Sequence, residues 1–402
     1  MSHSDNETPC PEKRLLVCCA RMRMQPAIAD KIREVLKHPL DFDYLLNTAA
    51  ENSVMPLLGR NLPSVVPNAV APEWIERLKG ACRANTLRCL LLTGELIKIM
   101  GEFRSAGISA IPYKGPVLAA QAYGDVALRE YEDIDVILRQ RDLAKAHEAM
   151  LGLGYRARFP WIHSSGHSGP TASLVPGEYN YVDDARQIIV ELHTEFTLRH
   201  FPVKPDLDEL SQRLVSVSLS GHPVMTFSAE DALSALCIHG AKDIWERISW
   251  VADISELVQS AGGFDWDAAW KSAEVLRAER MVSLGLALAV NLLDTPLPAE
   301  VRSRVQNDEV AMQIAAELKK MLLQRSPAQF GGAARFRFRR QMIAGTLAGW
   351  RYSVRLAMAP AEADWETMRL PRALAPLYIA LRPLRLLQKY GIAGRGSQRL
   401  PS

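Results

Sequence analysis

Apolar residues recur at helical spacing over residues 13–106. Leu90, Leu91, Leu92, Leu96, Ile97, Ile99 and Met100 fall on one such stretch, which predicts a long helix running into a strand. The period then changes. Between residues 107 and 195, short apolar runs alternate with a helical segment. Residues 107–113, 133–138 and 187–193 predict strands, and residues 141–151 predict a helix. Residues 155–177 gather Gly, Ser, His and Pro and predict a long loop, of the kind that often rims a substrate site. Residues 224–227 read as a further short strand. Ser228, Ala229, Glu230 and Asp231 then read as a capping box, where a serine oxygen takes an orphan N–H of the first helical turn. The helical period continues to about residue 323. The first dozen residues are polar and predict disorder. Strands interleaved with helices, between two helical regions, imply an α+β fold with a mixed sheet.

The strand at 133–138 carries the candidate chemistry. Residues i and i+2 of a strand point to one face, so Asp133 and Asp135 lie side by side while Ile134, Val136 and Leu138 enter the core. Two parallel carboxylates with no nearby base repel each other. A divalent cation relieves that repulsion, and carboxylate oxygens suit Mg²⁺ or Mn²⁺. Mg²⁺ is the usual partner of polyphosphates, which points to phosphoryl or nucleotidyl transfer. Asp-x-Asp alone is more often a solvated strand edge, and its surroundings are what shift the balance. Upstream, Lys114, Gly115 and Pro116 follow a strand. Gly115 permits a tight turn, and Pro116 suits the first helical position. Free N–H groups at such a helix start attract anions, and Lys114 adds a cation. A plain turn with an exposed lysine is the equal alternative. Arg129 enters the acidic strand from its loop, either to reach a phosphate or to pair with Asp133 or Asp135. Downstream, the strand at 187–193 puts Glu191 and His193 on one face. Paired beside the Asp strand, Glu191 becomes a third carboxylate. His193 is then either structural or a group that orients a ligand or touches a phosphate.

This ordered set resembles the nucleotidyltransferase fold of the DNA polymerase beta-like superfamily. It resembles more closely a family of uncharacterised bacterial nucleotidyltransferases. The resemblance rests on residues 112–119, which read Pro-Tyr-Lys-Gly-Pro-Val-Leu-Ala, and on 128–138, which read Leu-Arg-Glu-Tyr-Glu-Asp-Ile-Asp-Val-Ile-Leu. It continues through Glu191-Leu192-His193, residues 236–250, Leu370-Pro371 and residues 381–386. Tyr113 stands where that family often has Leu. Lys-Gly-Pro replaces the Gly-Ser or Gly-Gly of the wider superfamily and removes its hydroxyl. The resemblance implies a nucleotidyltransferase-like mixed sheet with flanking helices, plus N-terminal and C-terminal helical regions. Its expected divisions are a disordered N-terminus (1–12), a helical region (13–106), a catalytic domain (107–227), a helical second domain (228–330) and a basic helical tail (331–402). It implies Asp133, Asp135 and Glu191 as catalytic groups and ligands of Mg²⁺ or Mn²⁺, with an NTP as substrate. Lys114, Gly115, Arg129 and His193 are the expected nucleotide contacts. His239 and Lys242, three apart on a predicted helix with Trp245 following, would join them from the second domain, or else reflect a packed Trp and a capping Lys. The reaction implied moves NMP to an unidentified acceptor and releases pyrophosphate.

Composition adds limits. The chain of 402 residues has room for two or three domains, and 48% hydrophobic with 23% charged residues is ordinary for a globular protein. The net charge of +3 hides an asymmetry. From Arg335 onward there are 13 Lys and Arg against three acids, whereas the remainder has 35 basic against 42 acidic residues. The tail, with Arg and Phe alternating over 335–340, predicts an anionic partner, a membrane surface, or a helical clasp that packs Leu370, Leu377, Leu381, Leu384 and Leu387. Cys10, Cys18, Cys19, Cys82, Cys89 and Cys237 contain no C-x-x-C pair, so neither a disulfide framework nor a zinc site is predicted. His163 and His167 are four apart, but Ser-Ser-Gly between them argues for a loop. Trp245, Trp250, Trp266 and Trp270 are expected to be mainly core anchors. No signal-peptide pattern is present, and the longest apolar run, 281–293, is too short to span a bilayer. The expectation is a cytoplasmic protein without a transmembrane segment. The rival class is a non-catalytic nucleotide-binding regulatory or scaffold protein whose tail meets membrane or nucleic acid. A third reading, an RNA-modifying transferase, lacks a recognisable RNA-binding motif.

Overall fold

The computed structural model describes residues 10–67, 69–158, 177–197, 203, 205–260, 262–325, 331–358, 377 and 381–382. Most of the predicted loop at 155–177, with His163 and His167, lies outside the described residues. Four short helices open the chain: α1 (Pro11–Cys19), α2 (Pro26–Val35), α3 (Phe42–Glu51) and α4 (Met55–Val65). Prolines occupy the first positions of α1, α2 and α4, where a missing N–H costs no helical bond. Asp41 caps α3 by accepting from the Tyr44 N–H at 2.9 Å. Helix α1 begins at Pro11, inside the segment 1–12 expected to be disordered, of which residues 1–9 lie outside the described residues. The Cys10 N–H donates to the Leu323 carbonyl at 3.0 Å, and Glu12 is buried.

Helix α5 (Pro72–Ser105) has 34 residues, about 51 Å of rise. It joins two cores. Near its start it crosses α4 at Gly59, where an added Cβ would lie 2.3 Å from the Cys82 sulfur. Its later half lays Cys89, Leu92, Leu96, Ile99 and Phe103, all fully buried, against a five-stranded sheet.

The sheet comprises β1 (Ala110–Pro112), β2 (Asp133–Leu138), β3 (Arg156–Ala157), β4 (Glu178–Asp183) and β5 (Ile188–His193). Two helices interrupt it in sequence, α6 (Gly115–Leu118) and α7 (Leu143–Gly152). Strand order is β1-β2-β5-β4-β3, with β2 and β5 parallel and the other pairs antiparallel. Strand alternation divides β2 as expected. Ile134, Val136 and Leu138 join the core under α5, while Ile137 joins the opposite core and Asp133 and Asp135 share its face. The pattern reading missed β3, β4 and a hairpin strand. In β4 the buried Tyr179 and Tyr181 alternate with Glu178 and Asn180, a tyrosine pattern less conspicuous than an aliphatic run. The hairpin joins β6 (Val215–Leu219) to β7 (His222–Thr226) through Ser220 and Gly221, both at positive φ, as a two-residue turn between twisted strands requires. The Thr226 hydroxyl ties it to the sheet by donating to the Pro112 carbonyl at 2.7 Å.

The helices that follow the hairpin are α8 (Ala229–Lys242), α9 (Ile248–Ser260), α10 (Trp266–Leu276), α11 (Glu279–Leu293), α12 (Ala299–Gln306), α13 (Glu309–Leu323), α14 (Gly332–Gln341) and α15 (Thr346–Met358). Ser228 caps α8 as its sequence predicts, accepting from the Asp231 N–H at 3.3 Å. Leu16, Leu45 and Leu58 from the first helices belong to the same apolar core as Ile254, Leu284 and Ile314. Helices from both ends of the chain thus close over one face of the sheet, and the face bearing Asp133 and Asp135 looks into that junction. No helix among the described residues is long and apolar enough to cross a membrane.

Candidate active site

Parallel pairing of β2 and β5 sets Asp135 directly opposite Glu191, and Ile137 opposite His193. A one-residue slip would turn these side chains to the other face, so register decides whether a cluster exists. Arg88 of α5 reinforces the pairing from outside. It donates to the Glu132 carbonyl at 3.0 Å and to the Gln187 carbonyl at 2.7 Å, just before the two strands begin.

Asp135 is 3% exposed and far from bare. Its Oδ1 accepts from Lys114 Nζ at 2.9 Å and meets His193 Nε2 at 3.0 Å. His193 Nε2 is also 3.4 Å from Glu191 Oε2. The expectation of two carboxylates with no neutralising base is therefore corrected: Lys114 and His193 both compensate Asp135. Burial would raise the Asp135 pKa, but the two cationic partners outweigh it and hold the carboxyl well below the usual range. His193 shows the reciprocal effect. Burial opposes its protonation, yet hydrogen bonds to Asp135 and Glu191 push it up to about 9. Glu191 is lowered, since the His193 hydrogen bond outweighs the cost of burial. Asp133 behaves oppositely: burial raises it first, and the charges of Asp135 and Glu191 raise it further.

The Lys-Gly turn works through close approach. Gly115 has φ +53°, and an added Cβ would stand 3.3 Å from the Asp133 carbonyl oxygen. That passage lets β1 turn into α6 beside the acidic strand and delivers Lys114 to Asp135. Tyr113 sits behind them, fully inside the core. Its ring lies 5.0 Å from Lys114 Nζ and meets the His193 ring edge-on at 5.7 Å. An aromatic here fixes both cationic heads, a role not apparent when Tyr113 is read as a substitute for Leu.

A cleft of about 620 Å³ opens over the site. Ligand clefts for molecules of nucleotide size fall in the range of about 300–1,000 Å³. Lys114, Arg129, Asp133, Asp135 and His239 line it, whereas Glu191, His193 and Lys242 do not. Arg129 is held elsewhere. Its guanidinium grips buried Asp253 of α9 with Nε and Nη2 at 3.0 Å each, and Tyr123 donates to the same carboxylate at 2.8 Å. Neither Asp133 nor Asp135 pairs with it. Burial and the neighbouring Lys114 and Lys242 charges keep His239 neutral, well below its ordinary pKa. Lys242 pairs weakly with Asp243 at 3.6 Å. Trp245, in line with His239 and Lys242 in sequence, follows the end of α8 at positive φ and is fully buried against Gly240 and Gly285. It therefore does not reach the cleft.

Three further lining residues are not marked by any sequence pattern. Glu130, Arg247 and Trp250 also line the cleft. Trp250 is half-buried rather than a core anchor, and its ring meets His239 edge-on at 5.0 Å. Arg247 lies 5.8 Å from the Trp250 ring and donates to the Ser53 hydroxyl at 3.2 Å. Glu130 accepts from the Met55 N–H at 3.0 Å, and burial raises its carboxyl to about 7. All three fall inside stretches already singled out, 128–138 and 236–250, but nothing in their spacing marks them as cleft residues.

Asp135, Glu191 and His193 offer ligand atoms within 4.8 Å of one another, a candidate metal cluster. The two hard carboxylates suit a divalent cation, and His193 would add a nitrogen, better matched to Mn²⁺ than to Mg²⁺, only on giving up its proton. An α+β fold with acids paired across parallel strands, beside a lysine-bearing glycine turn, fits a nucleotidyl-transferring enzyme. The chain belongs to the family described as "Uncharacterised nucleotidyltransferase", whose model matches residues 38–294. That span runs from before α3 to the end of α11 and includes every residue of the cleft. No curated protein and no solved structure matches the chain.

Proposed function

We propose that the protein transfers a nucleoside monophosphate from an NTP to an acceptor, releasing pyrophosphate, with Mg²⁺ or Mn²⁺ as cofactor. The observation that carries this reading is the register that sets Asp135 against Glu191, with Asp133 beside them on the floor of a nucleotide-sized cleft. A cation held by Asp133, Asp135 and Glu191 would neutralise the triphosphate and draw charge from the leaving oxygens. Lys114 keeps its ammonium at the cleft floor, where triphosphate oxygens would enter. Gly115 gives the backbone room for that approach. His193 orients both Asp135 and Glu191 from behind. Arg129 positions: its clamp on Asp253 holds the loop before β2 against α9. Trp250, Arg247 and neutral His239 make the nucleoside side, and Lys242, outside the cleft lining, adds its charge from behind His239. The acceptor oxygen attacks the α-phosphorus, the bond to the bridging oxygen breaks, and Glu191 or Glu130 takes the acceptor proton.

One observation favours a second reading. Asp135 is already neutralised by Lys114 and His193, as suits a nucleotide-binding scaffold that performs no transfer. Labelled NTPs with Mg²⁺ or Mn²⁺ in cell extract separate the two. Label transferred to an acceptor by the protein, and lost with Asp133→Asn, supports the enzyme; nucleotide binding without transfer supports the scaffold. Lys114→Ala should weaken NTP about tenfold or more, as expected for a charge-assisted hydrogen bond, and leave nucleoside binding nearly unchanged. Equal losses for ATP and adenosine would remove Lys114 from the triphosphate site.

A further inference from the structure

Helix α15 is two-faced. Gly349 and Tyr352 are buried toward the body of the protein. On the other side Leu347 is 60% exposed, Trp350 64% and Met358 45%. Leu347, Val354 and Met358 recur at helical spacing, so these apolar groups form one strip rather than scattered contacts. Arg351 and Arg355 border the strip, and both are exposed. Arg277, at the left-handed end of α10, comes alongside them. The three arginines line a pocket of about 290 Å³ together with Val275, Ala348 and Tyr352. None of the three pairs with a carboxylate among the described residues. Three adjacent guanidinium groups repel one another and favour an anionic occupant.

We propose that this face docks on an anionic phospholipid surface. The arginine pocket would receive a phosphodiester headgroup, while Leu347, Trp350 and Met358 enter the boundary between headgroups and acyl chains. Tryptophan beside arginine and leucine is the composition that such an interface selects. Charge argues against two other occupants. Residues 359–402 hold seven Lys and Arg against three acids, so the rest of the tail is itself basic. A second copy seated face to face would oppose arginine to arginine. For a single-stranded nucleic acid, α15 itself offers one exposed aromatic ring among the described residues, Trp350, and no series along the helix on which successive bases stack.

The test uses the full chain with sedimenting vesicles of phosphatidylglycerol and, separately, of phosphatidylcholine. The protein should pellet with the anionic vesicles and remain in solution with the neutral ones, and added salt should release it. Arg351→Ala and Arg355→Ala should each lower partitioning about fivefold, the worth of one basic residue near such a surface. The double variant Leu347→Ser with Trp350→Ser should lose more, with an unchanged melting temperature because both side chains are exposed. Equal binding to neutral vesicles, or anionic binding untouched by the double variant, overturns the proposal. So does binding of a single-stranded RNA oligomer, in place of vesicles, through the same residues.

Discussion

Lys114 donates to Asp135 at 2.9 Å inside a site where both side chains are almost entirely buried. The ion pair makes the two aspartates of one strand unequal. Asp135→Asn would leave the Lys114 ammonium buried without its counter-charge, a loss on the order of 3 kcal/mol. Asp133 is the reverse case, because burial and two neighbouring carboxylates already disfavour its charge. Asp133→Asn should leave the metal-free protein as stable as wild type or more so. Both variants should abolish Mg²⁺-dependent NTP binding in titration calorimetry. Relief of repulsion at both positions, expected from strand geometry alone, holds here for Asp133 only. Matching urea midpoints for the two variants would refute this asymmetry.

Arg129 and Asp253 join the loop before β2 to the interior of α9. Asp253 is 1% exposed and receives Arg129 bidentately, with Tyr123 as its third donor. Arg129→Ala strands that carboxylate and should cost about 3–5 kcal/mol. Arg129→Lys retains the charge but loses the fork, so it should recover only part. The decisive comparison is the double variant Arg129→Ala with Asp253→Asn. If it unfolds at the same urea concentration as Arg129→Ala alone, the unpaired charge is not the cause.

Glu130 gives a signature in pH. Its folded carboxyl is raised from the ordinary 4.5 to about 7, by burial first and then by Glu132, against a lowering hydrogen bond from the Met55 N–H and the Arg247 charge. Between those values the folded state holds a proton that the unfolded state has released. Stability from this group is therefore complete below about 4.5 and is lost as pH rises through about 7. Asp133 is raised too, so the measurement is a difference between proteins. Glu130→Gln should flatten the fall in melting temperature across that window relative to wild type. Superimposable profiles would mean that Glu130 titrates as an ordinary surface carboxylate.

Much of the site was legible because local rules suffice for it. Asp133 and Asp135 share a face by strand alternation, and a glycine after Lys114 announces a turn. Glu191 needed one more fact, the parallel register with β2, which no local pattern contains. Arg129 pairs with Asp253 rather than with Asp133 or Asp135, which was illegible for a related reason. Its partner lies 124 residues away on a helix whose apolar period does not advertise a buried aspartate. Trp245 is the core anchor expected of it, and it cannot also reach the cleft beside His239 because α8 ends at Lys242 and two residues at positive φ then break the helical spacing; Trp250 reaches the cleft instead. The tail was the least legible part, since its charge dominates its composition while a few apolar residues fix its position.

Phe338, Met342, Ile343 and Tyr352 are buried in the same core as Ala278 and Met281. Polar contacts seat the segment further. Arg339 donates to the Lys242 carbonyl at 2.7 Å, at the end of the helix that carries His239, and Arg280 donates to the Gln341 carbonyl at 2.8 Å. Arg335 pairs with Glu246. A clasp thus exists, but on residues other than the leucines its sequence suggested: Leu377 is 45% exposed and Leu381 half-buried, while Leu370, Leu384 and Leu387 lie outside the described residues. Each large apolar side chain in such a core contributes about 1.5–3 kcal/mol, against a total stability of about 5–15 kcal/mol for a typical domain. Truncation at Arg335 should therefore lower the melting temperature sharply or prevent soluble accumulation. Phe338→Ala alone should cost about 3–5 kcal/mol. The exposed-face substitutions Leu347→Ser and Trp350→Ser should cost almost nothing, because the two faces of α15 serve different purposes. A truncated protein that stays soluble and melts with wild type would show that the tail contributes no packing energy.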